Sequence, residues 1–361
     1  MLAGGGAAGY AAIHSRVRVM YSDLLTARFE AALSDATDLP ALVGLLKDTP
    51  YGPYLAGLEE EGLTPRRAVH EIRHRLADVY MTVIRTAPTH TRSLLTEIFR
   101  HFEIDNLKAV LRGILMGSSW ERVQDVLFPL GSITVLPAER MLEAGTVEAA
   151  VALLSNTPYY DTISHAMKRY TEEHSLFPLE VALDLNYWRT LWLNINRLPS
   201  QDRTQSLHVV GPLVDMNNVM WALRYRVYHQ LSEEEVINYT LPFGYHVRDD
   251  DIRAIAAGAD IVRVVERLYP GLNNVDALLE DPEHGLPELE LQLQRRLRQQ
   301  SGTVFTGYPF HIGLPLAFLI LNELELQDLT VLIEAKASQM ATEEFTPYLL
   351  LDTSTEGLAA A

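Results

Sequence analysis

The chain has 361 residues, 48% hydrophobic and 21% charged, with 30 basic against 47 acidic residues for a net charge of −17. That is enough sequence for two or three domains with proper cores and too apolar for a disordered tail. The acidic balance argues against nucleic acid or anionic lipid as the main partner. The absence of cysteine rules out disulfides, thiolate zinc sites and cysteine nucleophiles.

The amino terminus, MLAGGGAAGY, lacks a basic stretch followed by an apolar one, so no secretory signal is expected. Gly4-Gly5-Gly6-Ala7-Ala8-Gly9 matches G-x-G-x-x-G, but only three residues precede it. The dinucleotide fingerprint needs a strand there, so a frayed start is expected instead. Thr64-Pro65, a capping residue followed by proline, opens a helix whose apolar stripe is Val69, Ile72, Leu76, Val79 and Val83. A second stripe runs through Leu107, Val110, Leu111, Ile114 and Leu115. Asp249-Asp250-Asp251 reads as a helix start, where negative charge suits the dipole. The longest apolar stretch, Ile312 to Leu321, is far short of the roughly twenty residues of a spanning helix and contains Pro315. Strand-like alternation is scarce, so the expected class is all-α.

Internal repetition organises the chain. Leu45-Leu46-Lys47-Asp48-Thr49-Pro50-Tyr51 recurs as Leu153-Leu154-Ser155-Asn156-Thr157-Pro158-Tyr159, offset by 108, with a weaker copy ending at Tyr269. A proline expected to open a long helix follows each time: Pro65, Pro178 and Pro287. Then come Asn106, Asn218 and Asp328, which lie 41, 40 and 41 residues beyond those prolines. Arg112, Arg224 and Glu334 stand six residues further on. Turns follow at Phe128-Pro129-Leu130-Gly131, Leu241-Pro242-Phe243-Gly244 and Thr346-Pro347-Tyr348. A period of about 110 residues is too long for the helical solenoid repeats of roughly 34–47 residues. It predicts three similar multi-helix modules around a pseudo-threefold axis. The expected division is an N-terminal helical segment, 1–40, and modules over 41–148, 149–260 and 261–361.

The repeated residues read as architecture. Asn106 and Asn218 lie on apolar-striped helices, where asparagine is a poor helix former, so their amides are expected to satisfy a neighbouring loop or helix end. Tyr51, Tyr159, Asp328, Arg112 and Arg224 belong to the same signature. The loops at Phe128, Gly131, Leu241 and Gly244 are candidate partner-facing positions, because loops carry recognition more often than cores.

Motifs of catalysis fare poorly. His70-Glu71-Ile72-Arg73-His74 matches H-E-x-x-H, with Glu97 as a conceivable third ligand. At 100° per residue both histidines fall opposite the apolar stripe, so a solvated helix face is expected. The corresponding positions of the second copy, Leu183, Asp184 and Tyr187, do not keep the pattern. No phosphate-binding G-x-x-x-x-G-K-[ST] loop and no G-x-S-x-G elbow occur. No catalytic residue, metal ligand or cofactor site is assigned, and direct nucleotide binding is not expected.

In order along the chain, the same residues resemble the C subunit of archaeal and bacterial vacuolar-type rotary ATPases, a family that includes the d subunit of the eukaryotic V-ATPase. The resemblance rests on Tyr10 with Ser15-Arg16-Val17-Arg18-Val19-Met20, Leu24-Leu25, Thr49-Pro50-Tyr51, Asp105 to Gly113, Phe128 to Gly131, and Glu325-Leu326-Gln327-Asp328-Leu329 with Glu334-Ala335-Lys336. It runs from about Tyr10 to about Leu350; the glycine-rich start, the Ser/Thr/Ala-rich tail and the looser third copy depart from it. It implies a funnel-like, all-helical, non-catalytic rotor adaptor on the cytoplasmic face of the membrane. There it would seat the central-shaft subunits on the proteolipid ring and transmit torque for ion transport. The alternative is a helical scaffold or docking protein unrelated to rotary motors. A zinc hydrolase built on His70 and His74 is the third reading.

Overall fold

The computed structural model describes residues 7–58 and 62–351. Gly4, Gly5 and Gly6 and the Ser/Thr/Ala-rich tail lie outside them, and Ala7, Ala8 and Gly9 form the first turn of a helix. Among the described residues every regular element is helical. In chain order these are α1 Ala7–Tyr21, α2 Ala27–Ser34, α3 Leu39–Leu46, α4 Gly52–Leu55, α5 Pro65–Thr86, α6 Arg92–Phe99 and α7 His101–Leu115. Next come α8 Trp120–Gln124, α9 Ala138–Glu143, α10 Val147–Ala152, α11 Tyr160–Glu173, α12 Phe177–Asn196 and α13 Ser200–Val227. The last are α14 Glu233–Asn238, α15 Asp249–Ala257, α16 Ile261–Leu268, α17 Val275–Glu280, α18 Pro282–Thr303, α19 Gly313–Ala337 and α20 Thr342–Phe345.

Local chemistry accounts for the helix starts. Thr64 sits in extended backbone and accepts the Arg67 amide at 3.3 Å, with Pro65 supplying a preset φ at the first helical position. Asp249, Asp250 and Asp251 fill the first turn of α15, and the Asp251 carboxylate accepts the Arg248 amide at 2.9 Å. Ser232 and Glu235 form a reciprocal capping box on α14. One expected start is displaced. α18 begins at Pro282, and Pro287 lies inside it. A proline this close to the start removes only one early backbone hydrogen bond, so the helix tolerates it.

The chain divides into two compact units. One comprises residues 18–191 and 325–361; the other comprises 1–17 and 192–324. α1, α12 and α19 contribute residues to both. In the first unit α5 packs on α4 and α6, and α7 on α9 and α10. The apolar face of α5 is buried through Val69, Ile72, Leu76, Val79, Tyr80 and Val83. Tyr80 stacks on Phe99 at 4.6 Å, and Phe102 stacks on Phe128 at 3.7 Å between ring centroids. Each such ring or aliphatic side chain contributes about 1.5–3 kcal/mol when fully buried.

In the second unit α13 and α18 pack together, with α17 against α18, and α15 against α13 and α14. Val209, Val210, Val214, Val219, Leu223, Leu286, Leu289 and Leu293 are buried there. The Tyr10 hydroxyl donates to Asp202 at 2.7 Å, fixing α1 to α13 within this unit. α19 is buried around most of its circumference, from Leu314 to Ile333. No described helix is long and apolar enough to cross a membrane.

Thr64→Ala should lower stability by about 1 kcal/mol, the usual worth of a cap side chain. Thr64→Asp should retain most of it, both read as shifts in thermal unfolding midpoint.

Candidate functional site

Three long helices each bury an acidic residue and, one turn later, an amide or a second acid. These pairs are Glu103 and Asn106 on α7, Asp215 and Asn218 on α13, and Glu325 and Asp328 on α19, all between 0% and 8% exposed. Polar groups at such positions must find partners, because burying them unpaired costs more than a hydrogen bond returns.

Asn106 donates Nδ2–H to the Phe128 carbonyl at 2.9 Å and accepts the Phe128 amide on Oδ1 at 2.7 Å. Asn218 does the same with Leu241, at 3.0 and 2.8 Å. Each partner directly precedes a proline, Pro129 or Pro242, which biases it toward extended backbone and away from any helical bonding of its own. Asp328 has no donor, so it accepts two successive amides instead, from Leu350 at 2.6 Å and Leu351 at 3.0 Å. The loop it holds therefore lies just beyond Thr346-Pro347-Tyr348, which forms a 3₁₀ turn.

The acidic residues were not among the repeat-signature residues read from the sequence. Their signal is an acid three positions before every repeated Asn or Asp. Glu103 accepts Thr134 Oγ1 at 2.8 Å and the Val135 amide at 2.5 Å on Oε1, and the Tyr159 hydroxyl at 2.5 Å on Oε2. Glu325 accepts the Tyr51 hydroxyl at 2.7 Å and the Leu25 amide at 2.5 Å. The buried Arg75 guanidinium lies 3.6 Å from Glu325 and 4.5 Å above the Tyr51 ring. Asp215 accepts the amides of Tyr245 and His246 at 2.7 and 2.6 Å. Burial first, then the neighbouring carboxylate, raises the hydroxyl pKa of Tyr51 and of Tyr159. Both phenols stay protonated and serve as donors. Burial also pushes the Asp215 carboxyl up, while amides of His246, Tyr245 and Val247 draw it back.

The repeated arginines make ion pairs nearer the surface. Arg112 meets Glu180 of α12 through two bonds of 2.6 and 2.9 Å. Arg224 meets Glu290 of α18 at 2.5 Å. Glu334 is exposed. Pairs this accessible contribute about 0–1 kcal/mol each, so they tune the packing without driving it.

Of the four loop residues considered as partner-facing, Phe128 and Leu241 are buried at 6% and 3% exposure, as parts of the core. Gly131 is exposed and has φ +55°, a conformation that favours glycine. At Gly244 an added Cβ would lie 2.5 Å from the Val247 carbonyl and 2.6 Å from Asp215 Oδ1. Glycine there permits the loop's close approach to the buried acid.

The expected solvation of His70 and His74 needs correction. Both rings are half-buried, edge to face at 5.1 Å, with Nε2 atoms 3.4 Å apart and His70 Nδ1 buried without a partner. Other parts of the fold cover a helix face that periodicity alone assigns to solvent. Burial, then His74, holds the His70 pKa below the usual 6.5. Glu97 is also half-buried and lies 3.8 Å from Arg100. Among the described residues no group of three or more His, Cys, Asp or Glu is arranged to hold a metal ion.

Comparison with known proteins matches residues 13–348 to the family described as ATP synthase (C/AC39) subunit. The C subunit of the A-type ATP synthase of Methanocaldococcus jannaschii is 26% identical over 95% of this chain and 86% of its own length. Its namesake in Methanothermobacter thermautotrophicus is 25% identical over 90% and 83%, respectively. That of Methanococcoides burtonii is 23% identical over 94% and 93%.

Asn106→Ala should cost about 1–3 kcal/mol, because it strands the buried Phe128 amide, while the Phe128 carbonyl keeps the Leu130 amide at 3.0 Å. Asn106→Asp keeps the Phe128 amide bond but sets a buried carboxylate oxygen against the Phe128 carbonyl, so it should cost at least as much; thermal unfolding of the two variants tests this order. Because the folded pKa of His70 is depressed, its neutral form carries no penalty above about pH 7. Stability should then fall as pH drops below the unfolded value near 6.5. His70→Asn should therefore lose less melting temperature than the parent between pH 7.5 and pH 5; equal losses would contradict it.

Proposed function

Because the chain belongs to the ATP synthase (C/AC39) subunit family, we propose that it works as a rotor adaptor in an A-type ATP synthase. In this reading it seats the central-shaft subunits on the proteolipid ring, peripheral to the cytoplasmic face of the membrane. It transmits torque for ion transport and contributes no active site or cofactor of its own. The family match across nearly the whole chain carries the proposal.

The buried junctions support the mechanical side of it. An element that transmits torque must resist shear between its helices, and Tyr51 to Glu325 and Tyr159 to Glu103 tie segments 274 and 56 residues apart through buried bonds. Such bonds are strong in a low-dielectric interior and have defined geometry.

We further propose that three modules surround a pseudo-threefold axis in a funnel-like arrangement. The recurring acid-x-x-Asn/Asp helix, its extended loop and its tyrosine support this. So does the order of the bonds, in which the second copy's Tyr159 reaches the first copy's Glu103 and the first copy's Tyr51 reaches the third copy's Glu325. Leu25 occupies on Glu325 the place that Val135 takes on Glu103 and His246 on Asp215. We therefore assign residues from about Leu25 onward to the first module, ahead of the 41–148 core of that repeat.

Tagged protein recovered from native membranes should bring down shaft and proteolipid subunits. In a reconstituted complex, omitting it should leave ATP hydrolysis by the soluble head intact and abolish coupled ion pumping. Recovery of neither partner, or full pumping without the chain, would overturn the assignment.

A further inference from the structure

The HEIRH segment of α5 brings two nitrogen ligands together. His70 and His74 stand four positions apart, on one face of the helix. Their Nε2 atoms lie 3.4 Å apart, while the ring centroids are 5.1 Å apart and the planes cross at 82°. The nitrogen corners therefore lead toward each other. A hydrogen bond from a ring N–H spans about 2.7–3.2 Å, so this separation is long for a bond between the two rings. It suits a shared ion better. Zinc binds imidazole nitrogen at about 2.0–2.1 Å, and two such bonds ending 3.4 Å apart enclose about 110°, close to the tetrahedral angle. A square-planar ion, with about 90° between its ligands, would draw the nitrogens in to about 2.9 Å.

The surroundings define the class of site. Asp125 and Glu71 set negative charge against His70, and Arg73 opposes them. Both rings keep some exposure, so an ion reaches the pair from solvent. Among the described residues no third His, Asp or Glu joins this pair in a metal-holding group, so water would fill the remaining positions. His70 Nδ1, which must carry the ring proton when Nε2 binds a metal, is buried without a partner. It lacks the outer hydrogen bond that strengthens metal-binding histidines. Both features make the site weaker than a closed four-ligand zinc centre.

We propose that His70 and His74 form an exchangeable zinc site, bound through both Nε2 atoms and completed by water. The ion joins adjacent turns of α5 and so stabilises this helix in the folded chain. It requires no hydrolytic chemistry.

Isothermal titration of the full-length protein with zinc chloride, with magnesium chloride as the control, tests this. Saturable zinc binding is expected, weakened about tenfold or more in His70→Asn and in His74→Asn, each of which removes one of two protein ligands. It should be unchanged in His284→Asn, an exposed histidine on another helix. Zinc should raise the thermal unfolding midpoint of the parent and leave that of His74→Asn unmoved, since only a ligand that prefers the native state stabilises it. Circular dichroism separates lost binding from lost folding. Titration of the unaltered protein with cobalt(II), whose visible absorption is intense only in tetrahedral surroundings, stands as a test even where a variant fails to fold. Zinc binding no stronger than magnesium binding would overturn the proposal. So would zinc binding that survives both His70→Asn and His74→Asn, or a bound cobalt with the faint spectrum of an octahedral ion.

Discussion

A buried carboxylate on an apolar helix cannot be left alone. It loses the solvation of its charge and recovers that loss only through donors brought to it by the rest of the chain. Glu103, Asp215 and Glu325 impose this demand on α7, α13 and α19, and in each case a loop amide answers it. At Glu103 and Glu325 a tyrosine from a distant segment answers as well. The adjacent Asn106, Asn218 and Asp328 extend the demand to a second stretch of loop one helical turn away. Loops that would otherwise be free are thereby held to helix positions at two points.

Small differences in donor and acceptor chemistry decide how each loop is held. Asparagine offers one donor and one acceptor, and takes both backbone groups of a single extended residue. Aspartate offers only acceptors, and so takes the amides of two consecutive residues. Likewise a glutamate reaches loop and tyrosine together, whereas Asp215 bonds two loop amides and the Tyr269 hydroxyl is buried without a partner. Gly244 belongs to the same arrangement, since a side chain there would meet Asp215.

The HEIRH segment shows how tertiary packing redirects a local pattern. Helical periodicity correctly assigns Val69, Ile72, Leu76 and Val79 to the core face. It cannot say what covers the opposite face, where the two imidazoles pack against each other and lose much of their solvent. In the family that this chain joins, the curated relatives are named as subunits of an ATP synthase. The repeated polar residues serve packing and the anchoring of loops, in keeping with a part played inside a larger assembly.

The sequence by itself determined the helical class, the starts of α5 and α15 and the positions of the repeated polar residues. These depend on nearest neighbours in the chain: caps, first-turn charge and a 3.6-residue apolar period. It also carried the family, because short motifs in a constant order survive wide divergence between them. The start of α18 at Pro282, the burial of Phe128 and Leu241, and the half-buried histidines were decided only in the tertiary structure. So were the partners of Glu103, Asp215 and Glu325, which range from 30 residues away, for Tyr245 and Asp215, to 300 for Leu25 and Glu325. No local rule specifies which distant amide or hydroxyl reaches a buried oxygen. That choice depends on where packed helices deliver each loop.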